Sequence, residues 1–253
     1  MKNIIFILVF LLSVSGYSSE LTGREIIQRV DDTDTSSTMK VDTTMVIKRG
    51  KQKLVRVMKS FRKKYGDDEK SLIIFDKPAD VRDTMYLTWT YEDIDREDDM
   101  WMYLPAEALV RRISSGGKKG SFMRSDFANE DIQKREVDDD VHKFLGRKDF
   151  SGINCYVVEN VPIKKRDTNY SKRVTWVHPD LFLPVRVEYY DKRGKLLKTA
   201  TYGGYVNIDG INTFTKNIME TPRSRTQTYM ERKNIKYNEE IADTTFEQSN
   251  LKR

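Results

Sequence analysis

From Met39 to Ile47 the chain alternates with a period of two. Met39, Val41, Thr43, Met45 and Ile47 take one side, and Lys40, Asp42 and Thr44 the other, broken only by Val46. A helix cannot hold such a stripe on one face, whereas a half-buried strand does so automatically. Arg49-Gly50-Lys51 then supplies a turn, and Leu54–Lys64 reads as the returning arm of a hairpin. Further strands are expected at Leu72–Phe75, Thr84–Thr90, Met100–Leu104, Cys155–Val161, Arg173–Val177, Val185–Tyr190, Lys195–Tyr202 and Ile211–Ile218, with a last one around Thr226–Ile235. Gly194 suits the positive φ of a hairpin at Tyr190–Lys195. Helical readings are few: an amphipathic stretch at Leu21–Val30, and Ser125–Lys134 with Ser125 as N-cap. Many short strands with turns between them predict a mainly β chain, a large antiparallel sheet that curls or closes.

Composition narrows the field. At 253 residues the chain can bury a substantial core. Its charged fraction, 33%, exceeds the typical value of roughly 25%, yet 11% aromatic content spread along the chain excludes disorder as the main state. The lone Cys155 excludes an internal disulfide scaffold and a cysteine-based zinc module.

Met1 and Lys2 precede an unbroken apolar run from Ile4 to Leu12, followed by small and polar residues to Ser19. This is the pattern of a secretory signal peptide, too short to span a bilayer. Cleavage fits after Gly16 or after Ser18; with Ser18 favoured, 1–18 is the signal peptide and 19–253 a single domain. Tyr17 stands where a lipid-modified lead-in would need cysteine. The expectation is an exported, periplasmic, non-lipidated protein.

The central string reads Asp99-Met100-Trp101-Met102-Tyr103-Leu104-Pro105-Ala106, then Arg111-Arg112-Ile113-Ser114, then Gly120-Ser121-Phe122-Met123-Arg124-Ser125-Asp126-Phe127 and Glu130-Asp131. With Phe75–Asp80, Leu87-Thr88-Trp89, Trp176, Leu183–Tyr190 and Phe246, it resembles the outer-membrane lipoprotein-sorting protein-like family, relatives of the LolA/LolB carriers. The resemblance covers nearly the whole chain after the leader. It implies an incompletely closed antiparallel β-barrel, with a few short helices covering an apolar concave face that binds lipid or acyl chains. It also implies a partner, an RND/MMPL-type inner-membrane exporter. One departure stands out: the family usually has glycine where this chain has Arg124.

A carrier must replace the bilayer for its cargo, and an acyl chain loses about 0.8 kcal/mol for each CH₂ withdrawn from lipid. The residues expected to form the lipid-binding wall are Met45, Ile47, Val57, Phe61, Phe75, Met85, Leu87, Trp89, Trp101, Tyr103, Phe122 and Phe127. Methionine suits a pocket that accepts varied chains. From Lys48 to Lys64 there are nine basic residues and no acid. Lys48, Arg49, Lys51 and Lys53 from that run, with Arg111, Arg112, Lys118 and Lys119 around Gly116-Gly117, are expected to touch head groups or a membrane surface. A plain solvated edge is the competing reading of the same charges.

Catalysis finds little support, because His142 and His178 are the only histidines and belong to no recognisable nucleophile or metal motif. No catalytic residue, metal or cofactor is expected. Export argues against nucleic acid as a partner despite a pI near 9. The reading is a monomeric periplasmic carrier of lipid or lipoprotein acyl chains; its rival is a non-carrier adaptor that docks on an exporter.

Overall fold

The computed structural model describes residues 20–165 and 168–252; the expected signal peptide lies outside them. The alternating segments pair into strands β1 (Thr38–Arg49), β2 (Gln52–Tyr65), β3 (Asp68–Lys77), β4 (Met85–Thr90), β5 (Asp99–Leu104), β6 (Leu109–Arg112) and β7 (Asp140–Phe150). They continue with β8 (Ile153–Pro162), β9 (Lys172–Val177), β10 (Pro184–Tyr190), β11 (Leu196–Ile208), β12 (Ile211–Thr221) and β13 (Thr226–Tyr237). All thirteen form one sheet in the order β6-β5-β4-β3-β2-β1-β13-β12-β11-β10-β9-β8-β7. Every neighbouring pair is antiparallel. With β6 at one edge and β7 at the other the sheet is not closed, so the mainly β, incompletely closed barrel is the observed fold. Bulges between Lys40 and Asp42, Val57 and Met58, and Phe144 and Arg147 add local bend and twist.

β6 and β7 are the two strands absent from the sequence reading. β6 is only four residues long, and β7 carries Gly146 and a charged run that blurs its alternation. Among the described residues there are two α-helices. Helix α1 (Gly23–Asp31) opens with a capping box: Thr22 Oγ1 accepts from Glu25 N–H at 3.2 Å, while the Glu25 carboxylate accepts from Thr22 N–H at 2.8 Å. It lays Ile26, Ile27 and Val30 against Tyr156, Val158 and Phe144. Gly23 is required there, because a Cβ would stand 2.8 Å from the Phe144 backbone nitrogen. Helix α2 (Ser115–Lys118) is a single turn formed by the Gly116-Gly117 segment. No described helix is long and apolar enough to cross a membrane.

The expected helix at Ser125–Lys134 is a correction. Residues 113–139 instead run as a mostly irregular plug across the sheet, with α2 near its start and single 3₁₀ turns at Phe122–Arg124, Asn129–Asp131 and Val137–Asp139. Ser125 closes the first turn, its hydroxyl donating to the Phe122 carbonyl at 2.6 Å, so it does not cap a following helix.

Candidate functional site

Strand register sorts every side chain to one of two faces. Met45 pairs with Met230 and Arg56, and Met58 with Phe75, so these share the face on which the plug lies. Phe122 is fully buried there, edge-to-face with Tyr86 at 5.0 Å and tilted against Phe75 at 5.8 Å. Phe127, Met45 and Ile47 complete the same cluster.

The opposite face holds a different set. Phe61 pairs with Leu72, Leu72 with Leu87, and Leu87 with Trp101. Together with Met85, Trp89 and Tyr103 these lie under the C-terminal 3₁₀ turns at Asp243–Phe246 and Gln248–Lys252, packed on Ile241, Phe246 and Leu251. Trp89 Nε1 donates to the Phe246 carbonyl at 2.9 Å. Val57 pairs with the outward Thr44. The single apolar wall expected from the sequence is therefore corrected to two, back to back. Parity along one strand is visible in sequence, but which parity faces inward depends on pairing across strands.

The plug is tied down by its acids. Asp126 accepts from the hydroxyls of Thr221 at 2.8 Å and Thr228 at 2.6 Å, and from that of Thr226. Its backbone N–H in turn donates to Thr228 Oγ1 at 3.0 Å. Asp131 accepts from Lys198 Nζ at 2.5 Å and the Tyr170 hydroxyl at 2.8 Å. Glu130 accepts from Asn169 N–H at 2.8 Å and faces Arg173 at 3.4 Å. These carboxylates all reach strands or loops of the β8–β13 half. Burial pushes the hydroxyls of Tyr170 and Tyr189 far above the ordinary tyrosine pKa, so both stay neutral donors beneath the plug.

Two cavities flank the plug and share the wall Gln133-Lys134-Arg135. One, of about 700 Å³, opens between the plug, the Tyr91–Asp98 loop and Ile163–Lys165, and its lining is mostly charged. The other, of about 480 Å³, lies between α1 and the strands, in the size range of ligand pockets, roughly 300–1,000 Å³. Ile27, Val30, Met39, Val137, Leu183, Pro184 and Phe214 give it an apolar wall, with Arg62 and Arg232 among its polar groups. Arg62 is paired, at 2.9 Å from Asp34 and 3.2 Å from Glu69.

None of the twelve expected wall residues lines either cavity. The residues that do come from α1, the strands β1, β2, β3, β9, β10, β12 and β13, the Tyr91–Asp98 and Ile163–Lys165 loops and the plug, and only the fold collects them. The available signals were the apolar face of α1 and the Leu183-Pro184 segment.

The expected head-group contacts divide as well. Lys48, Arg49, Lys51 and Lys53 are exposed around the β1–β2 hairpin, with Arg49 donating to the Arg124 carbonyl. Arg111 and Arg112 are exposed but paired with Glu107 and Asp99. Lys118 is a correction: it is buried at the wall of the larger cavity and donates to the Asp98 carbonyl at 2.8 Å, so it is not part of an exposed basic loop. Lys119 is half-buried, its carbonyl accepting from the Asn169 side chain. Within the basic run, Arg56 and Arg62 point inward and are buried. His178 Nδ1 accepts from the N–H groups of Asp180 and Leu181 at 3.2 and 3.3 Å, a turn-stabilising role, and Cys155 is fully buried.

An unclosed antiparallel sheet with a plugged, cavity-bearing face defines a LolA-like half-barrel. A LolA superfamily protein from Nitrosomonas europaea shares this fold, with a TM-score of 0.74 at 22% identity over 91% of this chain and 99% of that one. A DUF1329 family protein from Desulfovibrio piger is similar at 43% identity and a TM-score of 0.88, over 90% of this chain and 97% of that one. A putative outer membrane lipoprotein-sorting protein domain from Vibrio parahaemolyticus is similar at 31% identity and a TM-score of 0.87, over 91% and 98%. The family model matching residues 67–253 is described as "-like: Uncharacterized protein". No curated protein matches the chain. The chain belongs to the DUF1329 family, and the resemblance to outer-membrane lipoprotein-sorting proteins holds at the level of family as well as fold.

Proposed function

We propose that this protein is a periplasmic carrier that accepts the acyl part of a lipid or lipoprotein on the plugged face of its half-barrel and delivers it toward the outer membrane. The supporting observation is the cavity of about 480 Å³ beside the plug, apolar along α1, Leu183-Pro184 and Phe214, in a chain whose relative is described as sorting lipoproteins. Such a wall offsets the roughly 0.8 kcal/mol per CH₂ that an acyl chain gives up on leaving a bilayer. Displacement of the plug joins the two cavities that Gln133–Arg135 now separates, which supplies the room a longer chain needs. Loading and release then follow from different affinities of the plugged and unplugged states, with no covalent step. The exposed cations of the β1–β2 hairpin suit a transient approach to an anionic membrane, and an RND/MMPL-type exporter is the proposed donor or acceptor.

The test is direct. Protein purified from its periplasm is extracted with organic solvent, and the extract is analysed by mass spectrometry. Near-stoichiometric phospholipid, fatty acid or lipoprotein acyl chain is the expected result. Lipid-free protein that also fails to take up a fluorescent fatty acid removes the carrier reading and favours an adaptor.

A further inference from the structure

The charges around the smaller cavity are unequal. Five cations line it, Arg62, Lys64, Lys134, Arg135 and Arg232, against three carboxylates, Asp31, Asp34 and Glu69. Four of the cations are engaged. Arg62 is held by Asp34 and Glu69, Lys64 donates to the Asp34 carbonyl at 2.8 Å, Lys134 pairs with Glu136 at 3.0 Å, and Arg135 pairs with Asp140 at 2.6 Å. Arg232 is different. Among the described residues it has no ion pair, and its guanidinium lies over the Phe214 ring, 4.1 Å from the centroid. Asp34, the carboxylate that acts on it from farther away, is already committed to Arg62.

An arginine drawn out of water without a carboxylate paired to it is costly, since desolvation is not offset by a partner. Burial indeed lowers the Arg232 pKa below the ordinary arginine value. The Phe214 ring holds the guanidinium at the cavity, and a guanidinium without an ion pair has a planar fork of donors that suits the two oxygens of a carboxylate or phosphate. The apolar residues stand around the same space, so a ligand that satisfies both must be an amphiphile.

We infer that the cavity receives an acyl chain carrying an anionic head, a carboxylate or a phosphate, with Arg232 binding the head and Ile27, Val30, Leu183 and Phe214 contacting the chain. This rests on the carrier reading and adds to it the chemistry of the head.

The experiment compares dodecanoate, dodecyl phosphate and methyl dodecanoate as competitors of a fluorescent fatty acid, using delipidated protein and ligands below their micellar concentrations. The wild-type protein is expected to prefer either anion over the ester by about tenfold or more, the scale of a charge-assisted hydrogen-bonded pair. Arg232→Gln is expected to abolish that preference while leaving the affinity for methyl dodecanoate within about twofold, and Arg232→Lys to keep part of it. Circular dichroism establishes that each variant is folded. Equal affinity for ester and anions in the wild type, or a preference that survives Arg232→Gln, overturns the assignment while leaving an acyl cavity intact. Inorganic phosphate competing as well as dodecyl phosphate overturns it in favour of a plain anion site. Failure of all three amphiphiles to bind removes the carrier reading itself.

Discussion

Lys198 Nζ and Asp131 Oδ2 stand 2.5 Å apart, with their side chains only 5% and 1% exposed, and this contact fastens the plug to β11. Asp131 also accepts from Tyr170 and from the backbone N–H of Ala128, so its charge is surrounded by donors. A pair this deep contributes less as attraction than as a penalty on being broken.

Removing one member should therefore cost more than removing both. Asp131→Leu is expected to lower unfolding free energy by about 3–5 kcal/mol, because Lys198 remains charged and buried. Lys198→Met combined with Asp131→Leu should recover much of that loss. Urea unfolding of Asp131→Leu, Lys198→Met and the double variant measures it, and additive losses would contradict the pairing.

Arg124 occupies φ +63°, next to Met123 at φ +48°. Both lie in the left-handed region that disfavours side chains bearing a Cβ. The glycine that the family resemblance implies for this place would occupy that region without the strain. Arg124→Gly is expected to leave stability unchanged or raise it by up to about 1 kcal/mol, and Arg124→Val to lower it by about 1–2 kcal/mol. Chemical denaturation of both variants gives the comparison.

Burial raises the carboxyl pKa of Glu69, Asp98 and Glu136 above their ordinary values. A carboxyl with a raised folded-state pKa binds its proton more tightly when folded, so stability grows as pH falls from above that pKa toward the unfolded value. Glu25 and Asp191 act oppositely. Hydrogen bonds from Thr22 and Lys195 hold them below the usual range, and they lose stability only at lower pH. The stability maximum should thus lie on the acid side of neutrality. Thermal melts from pH 7.5 down to pH 4 test this, and Glu69→Gln should flatten the rise.

The tryptophans on the outward face should matter to folding and not to cargo. Trp89 and Trp101 meet edge-to-face at 4.9 Å beneath Phe246, which is fully buried. Phe246→Ala is expected to cost about 3–5 kcal/mol by opening a cavity there. Trp101→Ala should also destabilise, yet the affinity of the folded fraction for a fluorescent fatty acid should match the wild type. A selective loss of binding with unchanged stability would return Trp101 to the ligand wall.

How far the residues alone could be read depends on the range of the interactions. The period-two runs of β1, β2 and β10 are local, so those strands and a large antiparallel sheet were legible, whereas an incompletely closed barrel was implied only by the family resemblance. The plug was not. Its conformation is set by Asp126 and Asp131 meeting Thr228 and Lys198, residues 102 and 67 positions away, and no local preference encodes that. The cavity was illegible for the same reason, because Ile27, Leu183 and Arg232 come together only once thirteen strands are in register.

Asp126 is the place to alter exchange without altering the cavity. Its carboxylate accepts from three threonine hydroxyls on β12 and β13, and it does not line either cavity beside the plug. Hydrogen bonds to a charged group are worth about 1.5–3 kcal/mol each, though a shared acceptor yields less than their sum. Asp126→Ala should therefore loosen the plug's attachment to β13 while Lys198–Asp131 still holds its other end. If plug displacement admits cargo, both association and dissociation of a fluorescent fatty acid should accelerate by about tenfold or more, with a much smaller change in equilibrium affinity. Stopped-flow loading and displacement separate the two rates. Unchanged rates in a variant whose plug amides exchange faster with solvent deuterium would show that ligand enters by a route the plug does not guard.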